Sequence, residues 1–304
     1  PPPPTPSSNR RQRQMCIRDR VGALPLGVVA QTDGDDAVDA TAEPPAEVTP
    51  FLVYATGRAP DAESELRLSL RHPVSGGEDA PMVIDVGVSG VDAQALAERG
   101  VAVFSMLYPD RWPEVERDAD PTAVRAMAEA VACAVRFARG SEYGSETAPL
   151  VLAGFSRHAG LAAHVGLAGE DFDRLWAEYE EAMGAPPVQY DCSFSEASTR
   201  VDGLAGVAGT YDIYVGYEGL YGRDFLLEHE PELWELLWST VALHPELRVR
   251  LLHGDADTAP PPFVSADFEA VLAEAGHDVE LIEFAGGHEV PRDLLSEAVL
   301  ELIS

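Results

Sequence analysis

The sequence predicts an α/β fold, a mostly parallel central sheet covered by helices on both faces. Three observations carry this expectation. Short, nearly continuous apolar runs, such as Met82–Val88 (M-V-I-D-V-G-V) and Val101–Leu107 (V-A-V-F-S-M-L), have the length and make-up of strands buried on both faces. Helix-compatible segments punctuated by proline and glycine stand between such runs, as Thr122–Arg139 does between Pro121 and Gly140. Finally, Ser156, Asp257 and His288 each fall just past the end of an expected strand. In open α/β sheets that edge is where ligands bind.

In chain order, residues 1–20 are a proline run followed by a basic run that ends in Q-M-C-I-R-D-R. That last string resembles a translated sequencing adapter, so the stretch is expected to be an assembly remnant and is excluded from fold reasoning. Residues 21–30 (V-G-A-L-P-L-G-V-V-A) resemble the end of a signal peptide, with the small residues Val28 and Ala30 placed for a cut before Gln31. Residues 31–50 are rich in Asp, Ala, Glu and Pro and too polar to pack, which reads as a disordered acidic linker. The folded domain is therefore expected over 51–304, a length of roughly 250 residues that one α/β domain commonly fills.

Composition excludes some partners. Asp and Glu number 52 against 21 basic residues, all of them arginine, for a net charge of −31. Phosphate binding needs a basic face, so nucleic acid is not an expected partner. Beyond the leader, no run approaches the roughly 18 apolar residues of a membrane span. The chain carries no Cys/His metal cluster, P-loop or G-x-G-x-x-G, hence no metal or cofactor is implied. No feature of the sequence assigns an oligomeric state.

Within the domain, Leu66–Leu70 alternates apolar and polar residues, as a half-buried strand does. Strand Met82–Val88 is followed by a short helix, Ala93–Arg99, closed by Gly100, and then by strand Val101–Leu107. The long helix Thr122–Arg139 leads to strand Leu150–Ala153, which runs through Gly154-Phe155-Ser156 into a helix over His158–Leu167. Further strands are expected at Val201–Ala208, Arg248–His253 and Asp278–Phe284, with helices at Phe263–Ala275 and Pro291–Ile303. Glu170–Met183 carries Phe172, Leu175, Trp176, Tyr179 and Met183 on one helical face. It is a small helical insertion that either caps the ligand edge or packs on the body.

The stretch A-G-F-S-R-H-A-G drives a strand into a helix through one serine. Such a turn projects the Ser Oγ above the sheet and aims the helix N-terminus at the place where an oxyanion would form. Downstream, R-V-R-L-L-H-G-D-A-D (248–257) and F-A-G-G-H (284–288) each end a strand in a glycine turn that bears an acid or a histidine. From about Phe51 to Ser304 the chain thus resembles the α/β-hydrolase superfamily, carboxylesterase and lipase-like serine hydrolases in particular.

The resemblance implies a Ser-Asp-His triad with Ser156 as nucleophile, Asp257 as the acid that orients His288, and His288 as base. It implies hydrolysis of a small-molecule carboxylic ester through an acyl-enzyme. The triad does not encode the leaving group, so a thioesterase or peptidase of the same fold stays open. An inactive hydrolase-like binding protein stays open too.

Two departures from the family pattern accompany the match. His158 stands where the second glycine of G-x-S-x-G belongs, and could instead touch substrate. Asp85–Gly90 has a valine where the histidine of the usual His-Gly-Gly oxyanion loop belongs, and by alignment the donors are the backbone N–H groups of Val88 and Arg157. The rivals within the triad are Asp255, two residues before Asp257, His277 in a helix-to-strand connection where a surface position is expected, and His253, which reads as a satisfied structural histidine. Tyr211 and Tyr214, with Tyr217, Tyr221, Trp234 and Trp238, are candidates to line an acyl pocket.

Cys133 and Cys192 are expected to form a disulfide. Val124, Met127, Val131, Val135 and Ala138 make the stripe of the long helix that faces the sheet. Cys133 falls opposite, among Ala126, Ala130 and Phe137, where the insertion carrying Cys192 would cross. A leader like a signal peptide implies an extracytoplasmic compartment, in which such a bond persists.

Overall fold

The computed structural model describes residues 46–57, 65–74, 77, 79–87, 89–107, 121–183, 190–211, 214–215, 235 and 237–304, all within one unit, Glu43–Ser304. The adapter-like stretch, the leader and most of the acidic linker lie outside the described residues.

Among the described residues nine strands form one sheet, in the order β6-β1-β2-β4-β3-β5-β7-β8-β9. They are β1 (Val48–Gly57), β2 (Glu65–Arg71), β3 (Met82–Val86), β4 (Ala102–Leu107), β5 (Leu150–Phe155), β6 (Tyr190–Cys192), β7 (Gly203–Val207), β8 (Arg248–Gly254) and β9 (Val279–Phe284). The six from β4 to β9 in that order are parallel, while β2 and β1 add antiparallel strands at one side. β1 begins at Val48, inside the stretch read as linker. β6, three residues long, pairs antiparallel with β1.

Among the described residues the helices include α1 (Ala93–Glu98), α2 (Pro121–Gly140), α3 (Arg157–Ala168), α4 (Phe172–Met183), α5 (Phe263–Ala275) and α6 (Arg292–Leu302). Successive strand residues point to opposite faces, and each face is apolar. Met82, Ile84, Leu150, Leu152 and Leu204 pack with α2, α3 and α5. Val83, Val151, Ala153, Ala205 and Val207 pack with Leu96 of α1 and Leu295, Val299 and Leu302 of α6. Burying each such aliphatic chain contributes about 1.5–3 kcal/mol, which is why the central strands carry almost no polar residue. β3 lies between β4 and β5, so the chain leaves β3 to one side and returns on the other. The carboxyl ends of these strands flank the crevice where such sheets bind ligands.

The insertion helix α4 packs on the body. Phe172 and Trp176 stack on each other at 4.9 Å, Trp176 tilts against His164 of α3, and its Nε1 donates to Glu129 of α2 at 2.9 Å. Asp173 pairs with Arg136 at 2.6 Å. His164 is enclosed in this layer, and burial lowers its pKa to about 4. Its stability contribution therefore follows a definite sign. An unfolded chain protonates this histidine below about 6.5 and the folded chain does not until about 4, so the unfolded state binds more protons between those values. The contribution is complete above about 6.5 and is lost as pH falls toward 4. Urea unfolding at pH 7.5 and pH 5 should differ by about 2 kcal/mol on this account, and His164→Gln, which cannot titrate, should lose that part of the dependence.

Cys133 of α2 and Cys192 of β6 are joined by a disulfide. Across α2 the 190–200 segment does lie where the small residues suggested, with Phe194 packed at 5.6 Å on Phe137 and against Gly140. The bond closes a separation of 59 residues, for which the chain-entropy account gives about 4 kcal/mol. Reduction, or Cys133→Ala with Cys192→Ala, should lower the urea-unfolding free energy by that order. Two titratable thiols in the denatured, unreduced protein lacking residues 1–20 would contradict the bond.

Candidate active site

The elbow is built from close backbone approach. Ser156 has φ 54° and ψ −125° and stands as the residue before α3, a conformation that costs on the order of 1–3 kcal/mol for a non-glycine residue. It is over-determined by its surroundings: its N–H donates to the Val207 carbonyl at 2.8 Å, and its carbonyl accepts from Ala159 at 3.1 Å and Thr210 at 3.3 Å. A Cβ on Gly154 would come within 2.6 Å of the His158 carbonyl oxygen and 2.8 Å of Ala159, and one on Gly160 within 2.3 Å of the Thr210 carbonyl oxygen. Strand, helix and the turn after β7 therefore meet only because both positions are glycine. The Ser156 side chain caps nothing on α3.

Two strand-end loops bring the acid and the base together. β8 ends at Gly254, where a Cβ would meet the Gly287 carbonyl oxygen at 2.1 Å, so the β8 and β9 loops pack backbone to backbone. Ala256 N–H donates to the Gly286 carbonyl at 2.8 Å. Across this seam His288 Nδ1 lies 2.7 Å from Asp257 Oδ2, and the other carboxylate oxygen accepts from Ala259 N–H at 2.9 Å. Burial alone would raise the Asp257 carboxyl. The Ala259 N–H, His288 and His253 outweigh it and hold the group below the usual carboxylate range. The Asp257 side chain is 1% exposed and that of His288 33%, so the base reaches solvent while the acid does not. The His288 ring also lies 4.6 Å from that of Phe155, the residue before Ser156, which sets the imidazole beside the elbow.

The rivals sort by contact. Asp255 is exposed and its Oδ1 accepts from Gly286 N–H at 3.1 Å, which braces the histidine loop. His253 is 0% exposed and hydrogen-bonded at both ring nitrogens, to Ser265 at 2.7 Å and the Pro260 carbonyl at 3.1 Å. His277 is not the expected surface residue. It is buried, with its ring nitrogens 3.0 Å and 2.6 Å from the carbonyls of Leu247 and Val241, because the turn after Thr240–Ala242 folds over it.

Tyr211 and Tyr214 also depart from expectation. At 0% and 1% exposure they stack on Phe268 of α5 at 4.2 Å and 5.1 Å, and so belong to the core rather than to an open pocket wall. Burial raises both phenols. Tyr217, Tyr221 and Trp234 lie outside the described residues. His158, at the second position of α3, is half-buried. Burial first, then the Arg157 charge, lowers it to about 4, so it is neutral in neutral solution.

The Arg157 side chain is exposed. Its N–H belongs to the first turn of α3, where N–H groups lack intrahelical acceptors. Val88 lies outside the described residues. Beside it, Ser89 N–H donates to Asp85 at 2.8 Å in a loop that turns at Gly87 and Gly90, both with positive φ. Among the described residues no group of three or more His, Cys, Asp or Glu is placed to hold a metal, and no helix is long and apolar enough to cross a membrane.

No protein-family model matches the chain, and no curated protein matches it. Solved structures do. A truncated carbohydrate esterase from gut microbiota is 18% identical, covering 86% of this chain and 98% of that one, with a TM-score of 0.57. An esterase from the Planctomycetes species Thermogutta terrifontis is 19% identical over 86% and 90%, with a TM-score of 0.54. An acetyl ester-xyloside bifunctional hydrolase from Caldicellulosiruptor lactoaceticus is 17% identical over 81% and 87%, with a TM-score of 0.53. At these identities the likeness is one of fold.

Proposed function

We propose that the chain is an α/β-hydrolase that cleaves carboxylic esters through an acyl-enzyme, with Ser156, Asp257 and His288 as its triad. The observation that carries this is the 2.7 Å contact between His288 Nδ1 and the buried Asp257 carboxylate, beside a serine held at positive φ on a strand-to-helix turn. Nδ1 is engaged by Asp257, which leaves Nε2 to act on Ser156. In this reading Nε2 takes the Oγ proton as Oγ bonds to the ester carbonyl carbon. Negative charge then develops on the carbonyl oxygen, for which the family resemblance offers the N–H groups of Arg157 and Val88 as donors. Collapse breaks the bond to the alcohol oxygen, which leaves with the proton from His288. A water attacks the acyl-Ser156 by the same route and frees the acid.

The fold neighbours named as esterases favour an ester over a thioester or peptide substrate. The disulfide favours an extracytoplasmic location. A fluorophosphonate probe followed by peptide mapping tests the reading. Labelling confined to Ser156, with hydrolysis of short p-nitrophenyl esters, is expected. An unlabelled, folded protein would instead support an inactive, hydrolase-like binding protein.

A further inference from the structure

His253 approaches the same carboxylate oxygen of the acid that His288 does. It is the last side chain of β8 before Gly254 and is wholly buried. Its Nε2 faces two oxygens, the Pro260 carbonyl at 3.1 Å and Asp257 Oδ2 at 3.3 Å. A carbonyl and an ionised carboxylate accept protons but have none to give. Its Nδ1 lies 2.7 Å from Ser265 Oγ on α5, and a hydroxyl can donate. The neutral tautomer that satisfies both edges therefore carries its hydrogen on Nε2, with Nδ1 accepting from Ser265. The other tautomer would set a ring lone pair against two oxygens and leave the serine to find another acceptor. Burial disfavours the doubly protonated ring more than the Pro260 carbonyl and Asp257 favour it, and His288 adds to that effect.

We propose that His253, held as the Nε2–H tautomer by the Pro260 carbonyl and Asp257 with Ser265 donating to its other nitrogen, is a positioning residue that fixes the Asp257 carboxylate for its contact with His288. The inference rests on the triad reading above. Oδ2 is the oxygen that receives His288 Nδ1, so the His253 N–H acts on the atom that orients the base. Without it the only anchor besides His288 itself is the Ala259 N–H on the other oxygen, and the carboxylate and imidazole can turn together. A tilt there moves the imidazole, and misplacing a reacting group by about 1 Å costs on the order of a hundredfold. A histidine that merely filled core space would affect stability and leave turnover alone.

The test pairs kinetics with a spectroscopic readout. His253→Leu removes the donor, and His253→Gln keeps an N–H at nearly the same reach. The expected result is a kcat lowered about tenfold to a hundredfold in H253L, with KM within about twofold and most of the rate recovered in H253Q. Histidine side-chain nitrogen-15 spectra of the wild type should show a neutral Nε2–H imidazole at residue 253, assigned by its loss in H253Q. Ser265→Ala takes away the partner of Nδ1, loosens the ring that anchors the carboxylate, and should lower kcat. Wild-type kcat in a folded H253L protein, or an Nδ1–H tautomer in the wild type, would overturn the proposal while Ser156 labelling still stands. Should H253L fail to fold, the wild-type tautomer and the S265A rate decide. Failure of the wild type to label at Ser156 overturns the triad reading, and this inference with it.

Discussion

Ser156→Ala should lower kcat on a short p-nitrophenyl ester by a factor of about 10⁴ or more, and His288→Ala by a similar factor. Neither change should unfold the protein. The Ser156 hydroxyl makes no cap bond to α3, and the contacts that hold its strained backbone come from main-chain groups of Val207, Ala159 and Thr210. Alanine keeps all of them and meets the same penalty at positive φ. His288 is one-third exposed, so truncating it opens no sealed cavity. A Tm within a few degrees of wild type, measured beside the rate, separates lost chemistry from lost fold. If S156A kept more than about a tenth of the wild-type rate, another nucleophile would be required, since triad losses are far larger.

What the sequence made legible was set by where physical constraint is local. The parallel core strands are buried on both faces, so β3, β4, β5 and β7 show as apolar runs with little alternation. β1 and β6 do not. β1 has a mixed burial pattern, with bulges and a positive φ at Phe51, and β6 is three residues pairing at its flank. The elbow was legible through Gly154, whose need for glycine arises within five residues of chain. The missing second glycine of the motif has a physical explanation that no short pattern contains. The tight approach in α3 falls at Gly160, against the Thr210 carbonyl, so His158 is tolerated. Tyr211 and Tyr214 were ambiguous for a general reason, because an acyl pocket and a core both want aromatic rings. Phe268, the ring that decides between them, is distant in sequence. His277 was misplaced for a like reason: the carbonyls that bury it, from Val241 and Leu247, belong to a turn whose path the local G-H-D pattern does not reveal.

The choice between two acids on one loop is where the sequence left most to decide, and it yields a paired prediction. Asp257→Asn should lower kcat by about 10⁴, whereas Asp255→Asn should change it by roughly twofold or less, as for a surface substitution that keeps its bond. The two side chains lie on the same turn but accept from different donors. Asp257 accepts from His288 Nδ1 and from Ala259 N–H. An asparagine placed to keep the Ala259 bond presents its NH₂ to Nδ1, which must then give up its hydrogen. The hydrogen moves to Nε2, the nitrogen that has to accept the Ser156 proton, and the base is lost with the geometry intact. Asp255 instead accepts from Gly286 N–H at 3.1 Å and is exposed, a bond that an amide oxygen makes as well. Because Asp257 is held below the ordinary carboxylate range, its ionised form, and the orientation of His288 that depends on it, should persist as pH falls toward and below about 4. Activity at mildly acidic pH should therefore not be limited by this acid. Equal losses in D255N and D257N, or a loss confined to D255N, would transfer the role to the wrong side of the loop and overturn the assignment.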